Sequence, residues 1–132
     1  MSVKEIFETM EYGPALEATQ EAMQWLQNHD RRFGHFINGA ICEGSDHFNS
    51  RNPATGEVLA KIAQANEQDV HNAVASARVA QADWGAQSGH QRARVLYAIA
   101  RLVQKHSRLF ATLETLDNGK PIRESRDIDI PL

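Results

Sequence analysis

Three side chains that could do chemistry stand close together early in the chain: His35, Cys42 and His47. Imidazole and thiolate are zinc ligands, so a metal centre is the first reading to weigh. The spacing matches no standard zinc pattern and a fourth ligand is missing. Ordinary loop and strand residues are the simpler account. Cys42 is also the sole cysteine. A nucleophilic thiolate needs a partner base and an electropositive niche. Nothing nearby in the sequence supplies them, so Cys42 reads as a partly buried structural thiol.

Carboxylates come next. Glu114 and Asp117 are three residues apart and share one face of an expected helix. Asp117 stands just before Asn118-Gly119, a helix stop, where the last helix carbonyls have no intrahelical partner. Oxygen atoms grouped in that way suit a hard cation. The competing reading is plain surface charge, and it applies equally to Asp127 with Asp129. Arg94, Arg101 and Arg108 recur every seven residues. They describe either a solvated face or a docking surface for a partner subunit or an acidic group. There is no GxGxxG, no GxxxxGK[ST], no HExxH and no CxxC. The residues by themselves hold no complete catalytic set.

The elements that must position these groups follow from periodicity. Pro14 fits the first position of a helix running to about Asn28, with Leu16, Thr19, Ala22, Met23 and Leu26 at helical spacing. Trp25 stands at the edge of that stripe and should pack against a neighbour. From Phe33 to Ile62 the chain reads as strand. Asn38-Gly39 is a tight-turn signal, which predicts a hairpin over 35–42. Asn52-Pro53-Ala54-Thr55-Gly56-Glu57 is a second reversal. After it, Val58, Ala60 and Ile62 alternate with Leu59, Lys61 and Ala63.

Helices resume beyond the strands. Asn66 caps one that carries Val70, Ala73, Val74, Ala77, Ala80 and Trp84, and Gly85 is expected to end it. Ser88 to Gln91 has the spacing of a capping box for the next, with Val95, Leu96, Ile99, Leu102 and Val103. A third runs from about Ser107 through Leu109, Phe110, Leu113 and Leu116 to Gly119, and Pro121 prevents its resumption. Arg123 to Leu132 begins something new.

The totals bound the class. At 132 residues the chain suits one domain with its own core. Net charge is −3, which argues against a nucleic-acid binder or a polybasic membrane module. One cysteine points to a reducing compartment, and no run of about 18 apolar residues exists to span a membrane. The first residues lack the apolar stretch of a secretory signal, so the expected location is the cytoplasm.

An ordered set of motifs resembles the N-terminal portion of the aldehyde dehydrogenase superfamily. It begins at Phe36-Ile37-Asn38-Gly39 and continues through the Asn52–Val58 turn. It then takes in Asp69-Val70 with the alanine-rich helix to Trp84, and the arginine-containing helix 90–105. Last come Leu113-Glu114-Thr115-Leu116-Asp117-Asn118-Gly119-Lys120-Pro121. Each motif is modest alone; their order over 36–132 is specific. Residues 4–34 look like the longer lead-in of the branch numbered family 16, some members of which are thought to lack the usual nucleophile.

The resemblance implies an α/β parent fold with a Rossmann-like cofactor domain, a catalytic domain and a small β arm for oligomerisation. This piece would be mostly helical with one or two β-hairpins. Residues 1–34 would be a helical lead-in and 35–132 a truncated part of the cofactor-binding domain. Complete members oxidise an aldehyde to an acid with NAD or NADP. A cysteine thiolate attacks the carbonyl, and a glutamate helps water release the thioester. The segments supplying that nucleophile, glutamate and cofactor site lie later than residue 132. No catalytic or cofactor-binding residue is therefore carried over, and tight NAD binding is not expected. In several members a monovalent cation sits at a position matching Ser50 and Arg51, through backbone oxygens, and Asp117, through its carboxylate. The expected partner is the rest of the dehydrogenase fold, in a homo-oligomeric parent. A free-standing, non-catalytic interaction or dimerisation module is the alternative. Its apolar helix faces, left uncovered, would favour self-association.

Overall fold

The computed structural model describes residues 17–131. The expected lead-in at 1–13 and the proposed helix start at Pro14 lie outside them. The first described helix, α1 (Thr19–Asn28), starts later than periodicity alone suggests, because Ala18 is extended (φ −61°, ψ 137°). Ala22 and Leu26 are its buried face. Asp30 and Arg31 both take positive φ and reverse the chain, with Arg31 N–H donating to Leu26 O at 2.9 Å. That reversal leads directly into the sheet.

Five short strands follow: β1 (Arg32–Phe33), β2 (His35–Ile37), β3 (Ala40–Cys42), β4 (Asp46–Arg51) and β5 (Val58–Gln64). β2 and β3 form the expected hairpin, with Asn38 at φ 52° and Gly39 at φ 77°, the backbone that a tight primed turn requires. β4 and β5 pair antiparallel around the Asn52–Glu57 reversal, where Asn52 N–H donates to Glu57 O at 2.9 Å. The sequence did not foretell β1, which pairs parallel with β5 and makes a three-stranded sheet in the order β1-β5-β4. A two-residue strand is too short to show periodicity; only its partner defines it. β5 also departs from simple alternation. Leu59, Ala60 and Ala63 are all buried, so both of its faces are partly covered.

Four helical elements complete the chain: α2 (Glu67–Ala86), α3 (Gly89–Lys105), α4 (Ser107–Asn118) and a short turn α5 (Ile122–Glu124). α5 passes into a wider, π-type turn over Ser125–Asp129. Both α2 and α3 start with complete capping boxes, Asn66 with Asp69 and Ser88 with Gln91. Gly85 does not end α2, which continues to Ala86 before Gln87 turns extended. A glycine one residue from a helix end costs little, so the capping of the next helix decides the break. The core is formed by Ala22, Leu26, Leu59, Ala60 and Leu116, flanked by Met23, Trp25, Phe33, Ile62, Leu109 and Leu113. Trp25 stacks on Phe33 with ring centroids 5.5 Å apart, as its edge position suggested. Neither α2 nor α3 buries a single residue.

Candidate functional site

The turn after β4 and the end of α4 meet. Gly119 takes φ 77° and stops α4, with its N–H donating to Thr115 O at 3.0 Å. A side-chain carbon placed on Gly119 would lie 2.8 Å from Cγ of Pro53. Only glycine tolerates both the backbone angle and that approach. The Asn52–Glu57 turn and the Asn118-Gly119 stop are thus one structural junction.

Two of the three candidate cation ligands come together there. The Ser50 hydroxyl donates a short hydrogen bond to Oδ1 of Asp117, joining residues far apart in sequence. This is a side-chain contact, whereas the resemblance implied a backbone role for Ser50. Arg51 turns its guanidinium back onto its own loop, donating from Nη1 to Gly56 O at 3.0 Å. The β4–β5 register slips between Ser50, opposite Ala60, and Arg51, opposite Val58. Such a bulge disrupts the ladder locally and leaves backbone groups without regular partners. A hydroxyl, a carboxylate and backbone oxygens beside a bulge are hard donors, so the set fits a weakly held cation better than zinc.

Glu114 lies one turn back on the same face of α4, its Oε1 accepting from Asn118 Nδ2 at 2.5 Å. Lys120 is nearby but committed, with Nζ 2.5 Å from Asp129 Oδ2. That hydrogen bond holds the Lys120 ammonium above its ordinary pKa, against a smaller opposing effect of desolvation. Beyond it, the Arg126 guanidinium hydrogen-bonds Asp127 and holds that carboxyl below the usual carboxylate range. Asp127 and Asp129 therefore form two separate ion pairs and share no site.

Ser50, Glu114 and Asp117 edge a cavity of about 490 Å³. Phe33, Phe48, Ile62, Phe110 and Ile130 are among the apolar side chains that line it. Sequence reading found the acids but missed the cavity, which needs β4, β5, α1 and α4 assembled.

The other candidates separate. His35 Nε2 lies 3.8 Å from Asp69 Oδ2, and His47 Nε2 lies 3.9 Å from Glu43 Oε2. Each histidine faces its own carboxylate, and among the described residues no three metal-ligating side chains cluster. Cys42 is a half-buried free thiol paired across the hairpin with His35. The arginine series is interrupted, because α3 ends at Lys105 and Arg108 belongs to α4. At the starts of α2 and α3 one helix N–H each, that of Asp69 and that of Gln91, donates to the capping side chain.

Comparison with known proteins gives this geometry its context. The sequence model described as "Aldehyde dehydrogenase family" matches residues 41–132. DhaS, a Bacillus subtilis protein assigned as an aldehyde dehydrogenase, is 47% identical over 87 residues, 64% of this chain and 18% of its own length. Aldehyde dehydrogenase family 2 member B4, mitochondrial, from Arabidopsis thaliana is 41% identical over 101 residues, 75% of this chain and 18% of its own. Among solved structures, HpcC from Thermus thermophilus superposes with a TM-score of 0.81 at 30% identity. That match covers 92% of this chain and 24% of HpcC. The NAD+ complex of an aldehyde dehydrogenase from Bacillus cereus gives 0.76 at 34% identity, covering 90% and 24% respectively. The fold is that of part of an α/β dehydrogenase, and the chain belongs to the aldehyde dehydrogenase family. It spans about a fifth of the length of the curated relatives it matches.

Proposed function

We propose that this chain is the N-terminal part of an NAD(P)-dependent aldehyde dehydrogenase. The complete protein would oxidise an aldehyde to a carboxylic acid through a cysteine thiohemiacetal and a thioester. The observation that carries this reading is the match of 92% of the chain to about a quarter of a dehydrogenase structure. Within that protein, residues 35–132 would belong to the cofactor-binding domain, and α2 and α3 would be covered by the remainder of the fold. Homo-oligomerisation of the complete protein is part of the same reading. The single free thiol suits a reducing compartment, and we place the protein in the cytoplasm on that ground. Among the described residues no helix is long and apolar enough to cross a membrane.

The chain's own share is structural. It brings the Asn52–Glu57 turn to the end of α4 and offers Ser50 and Asp117 as oxygen ligands for a monovalent cation. Cys42 has no role as nucleophile, since its neighbour across the hairpin, His35, faces Asp69 instead. No step of the chemistry is assigned to these residues.

A second reading has one observation in its favour. The chain has a small core of its own, so a free-standing, non-catalytic interaction module is physically coherent. The nucleotide sequence after the Leu132 codon separates the two. An open frame with further dehydrogenase motifs supports the fragment; a stop codon there supports the module. Calorimetry of NAD+ on the isolated chain is expected to show no tight binding, and tight binding would overturn the assignment of the cofactor site to other segments. For the cation, melting is compared in sodium or potassium and in a bulky organic cation. The wild type should be the more stable in the small cation and Asp117→Ala indifferent. Equal responses of the two proteins would remove the site.

A further inference from the structure

Asparagine followed by glycine occurs twice in the chain, at Asn38-Gly39 and at Asn118-Gly119. Asparagine is a thermolabile residue. Its side-chain carbonyl carbon, Cγ, can be attacked by the backbone nitrogen of the next residue, and a glycine there obstructs the approach least. Both asparagines are exposed and both glycines take φ 77°. What holds them differs.

Asn118 is held at both ends of its amide. Its Nδ2 donates to Glu114 Oε1 at 2.5 Å, and its Oδ1 accepts from Lys120 N–H at 2.8 Å. The nitrogen that would attack, that of Gly119, donates to Thr115 O at 3.0 Å, and Pro53 stands against Gly119. Ring closure must break all of this. Asn38 has one side-chain hydrogen bond among the described residues, from Ser76 Oγ to its Oδ1 at 3.3 Å. Among the same residues Gly39 N–H has no acceptor, and a side-chain carbon placed on Gly39 would meet nothing within 4 Å. The turn closes a two-stranded hairpin that lies outside the three-stranded sheet. Such a hairpin is marginal by itself, so its local opening is easy.

We propose that Asn38 is a site of self-modification, deamidating through its own turn, and that the fold protects Asn118 from the same reaction. Gly39 N gives its proton to solvent and bonds to Cγ of Asn38. The Cγ–Nδ2 bond breaks, and ammonia leaves with a proton returned by solvent, closing a succinimide. The Ser76 hydroxyl lies at the oxygen that gains charge on the way. Water then opens the ring at either carbonyl and leaves an aspartate or an isoaspartate; nothing is oxidised or reduced. The isoaspartate adds a main-chain carbon to a two-residue turn, which cannot then keep the Ile37–Ala40 pairing. With it loosen the Asn38–Ser76 and His35–Asp69 contacts, by which the hairpin meets α2.

The test ages the 132-residue chain in mildly alkaline buffer, folded and in concentrated urea. Digestion and mass spectrometry then follow the exchange of amide for carboxyl in the peptides holding Asn38 and Asn118. In the folded chain Asn38 should convert about tenfold faster than Asn118, or more, because only its turn opens easily. In urea the two rates should approach each other, since the contacts that separate them are gone. Glu114→Ala should quicken conversion of Asn118 in the folded chain and leave Asn38 unchanged. Equal rates in the folded chain, or a ratio that persists unaltered in urea, would overturn the proposal.

Discussion

Two regions of this molecule obey different rules. In the first, α1, the β1-β5-β4 sheet and α4 enclose a core around Leu26, Leu59 and Leu116. In the second, α2 and α3 run as 20- and 17-residue helices that bury nothing. Their sequences are equally helical, with capping boxes better formed than any cap in the first region. What differs is tertiary cover. Val74, Trp84, Leu96 and Ile99 all stay exposed. A helix in a folded protein owes most of its stability to packing of one apolar face, so good caps cannot replace a missing neighbour. The first region has a core of its own; the second leaves its apolar side chains open.

The strongest way to break this contrast is to make the same substitution in both regions. Leu116→Ala should cost about 2–5 kcal/mol, the usual range for a buried leucine that leaves a cavity. Leu96→Ala, at a position 59% exposed, should stay within about 0.5 kcal/mol. Urea unfolding followed by near-ultraviolet absorption and far-ultraviolet dichroism measures both. Similar losses would mean that α3 is packed after all.

Gly119→Ala ranks next and probes the junction that holds the first region together. Positive φ and the approach to Pro53 should together cost about 1–3 kcal/mol. A substitution without effect on the melting temperature would separate the turn from α4. Asn66→Ala follows, at about 1 kcal/mol, the value of a lost N-cap. Hydrogen exchange should report that loss in the first turn of α2, with the core amides of β5 and α4 unmoved. Slowed or quickened exchange in β5 would show the two regions to be coupled.

The smallest effect is electrostatic. Asp127 has its pKa lowered, chiefly by the hydrogen bond from Arg126. Its contribution is present above the ordinary carboxylate pKa of 3.8 and is lost as pH falls through the lower, folded value. The pair is exposed, so comparison of wild type with Asp127→Asn across acid pH should show only a slight divergence. Lys120 has the opposite sign. Its contribution is complete below 10.5 and disappears as pH rises through its raised folded value. A large acid-side difference for Asp127→Asn would place that ion pair inside the stable region instead of at its edge.

Much of this was legible in the residues. Asn38-Gly39 predicted the hairpin because few other dipeptides accept two positive φ angles in succession. Asn66, Ser88 and Gly119 marked helix ends because each meets a local need of the backbone within a few residues. Asp117 was legible as a candidate ligand from its place at a helix stop, and the motif order identified the family. Other features were invisible for one shared reason. β1 exists only by pairing with β5, and the arginine series broke at His106, where the backbone leaves the helix at φ −108°. The Ser50–Asp117 contact, the Pro53–Gly119 approach and the cavity all join segments distant in the chain.

By itself, then, the sequence determined the local elements, their caps and turns, and membership of the aldehyde dehydrogenase family. These depend on interactions within a turn or two of backbone, or on motif order. Only the tertiary structure decided that one apolar helix face would be buried and another left open. Periodicity states which face is apolar; burial depends on whether another surface arrives to cover it. For α4 it does, through α1 and the sheet. For α2 and α3 no residue of the described chain provides that cover.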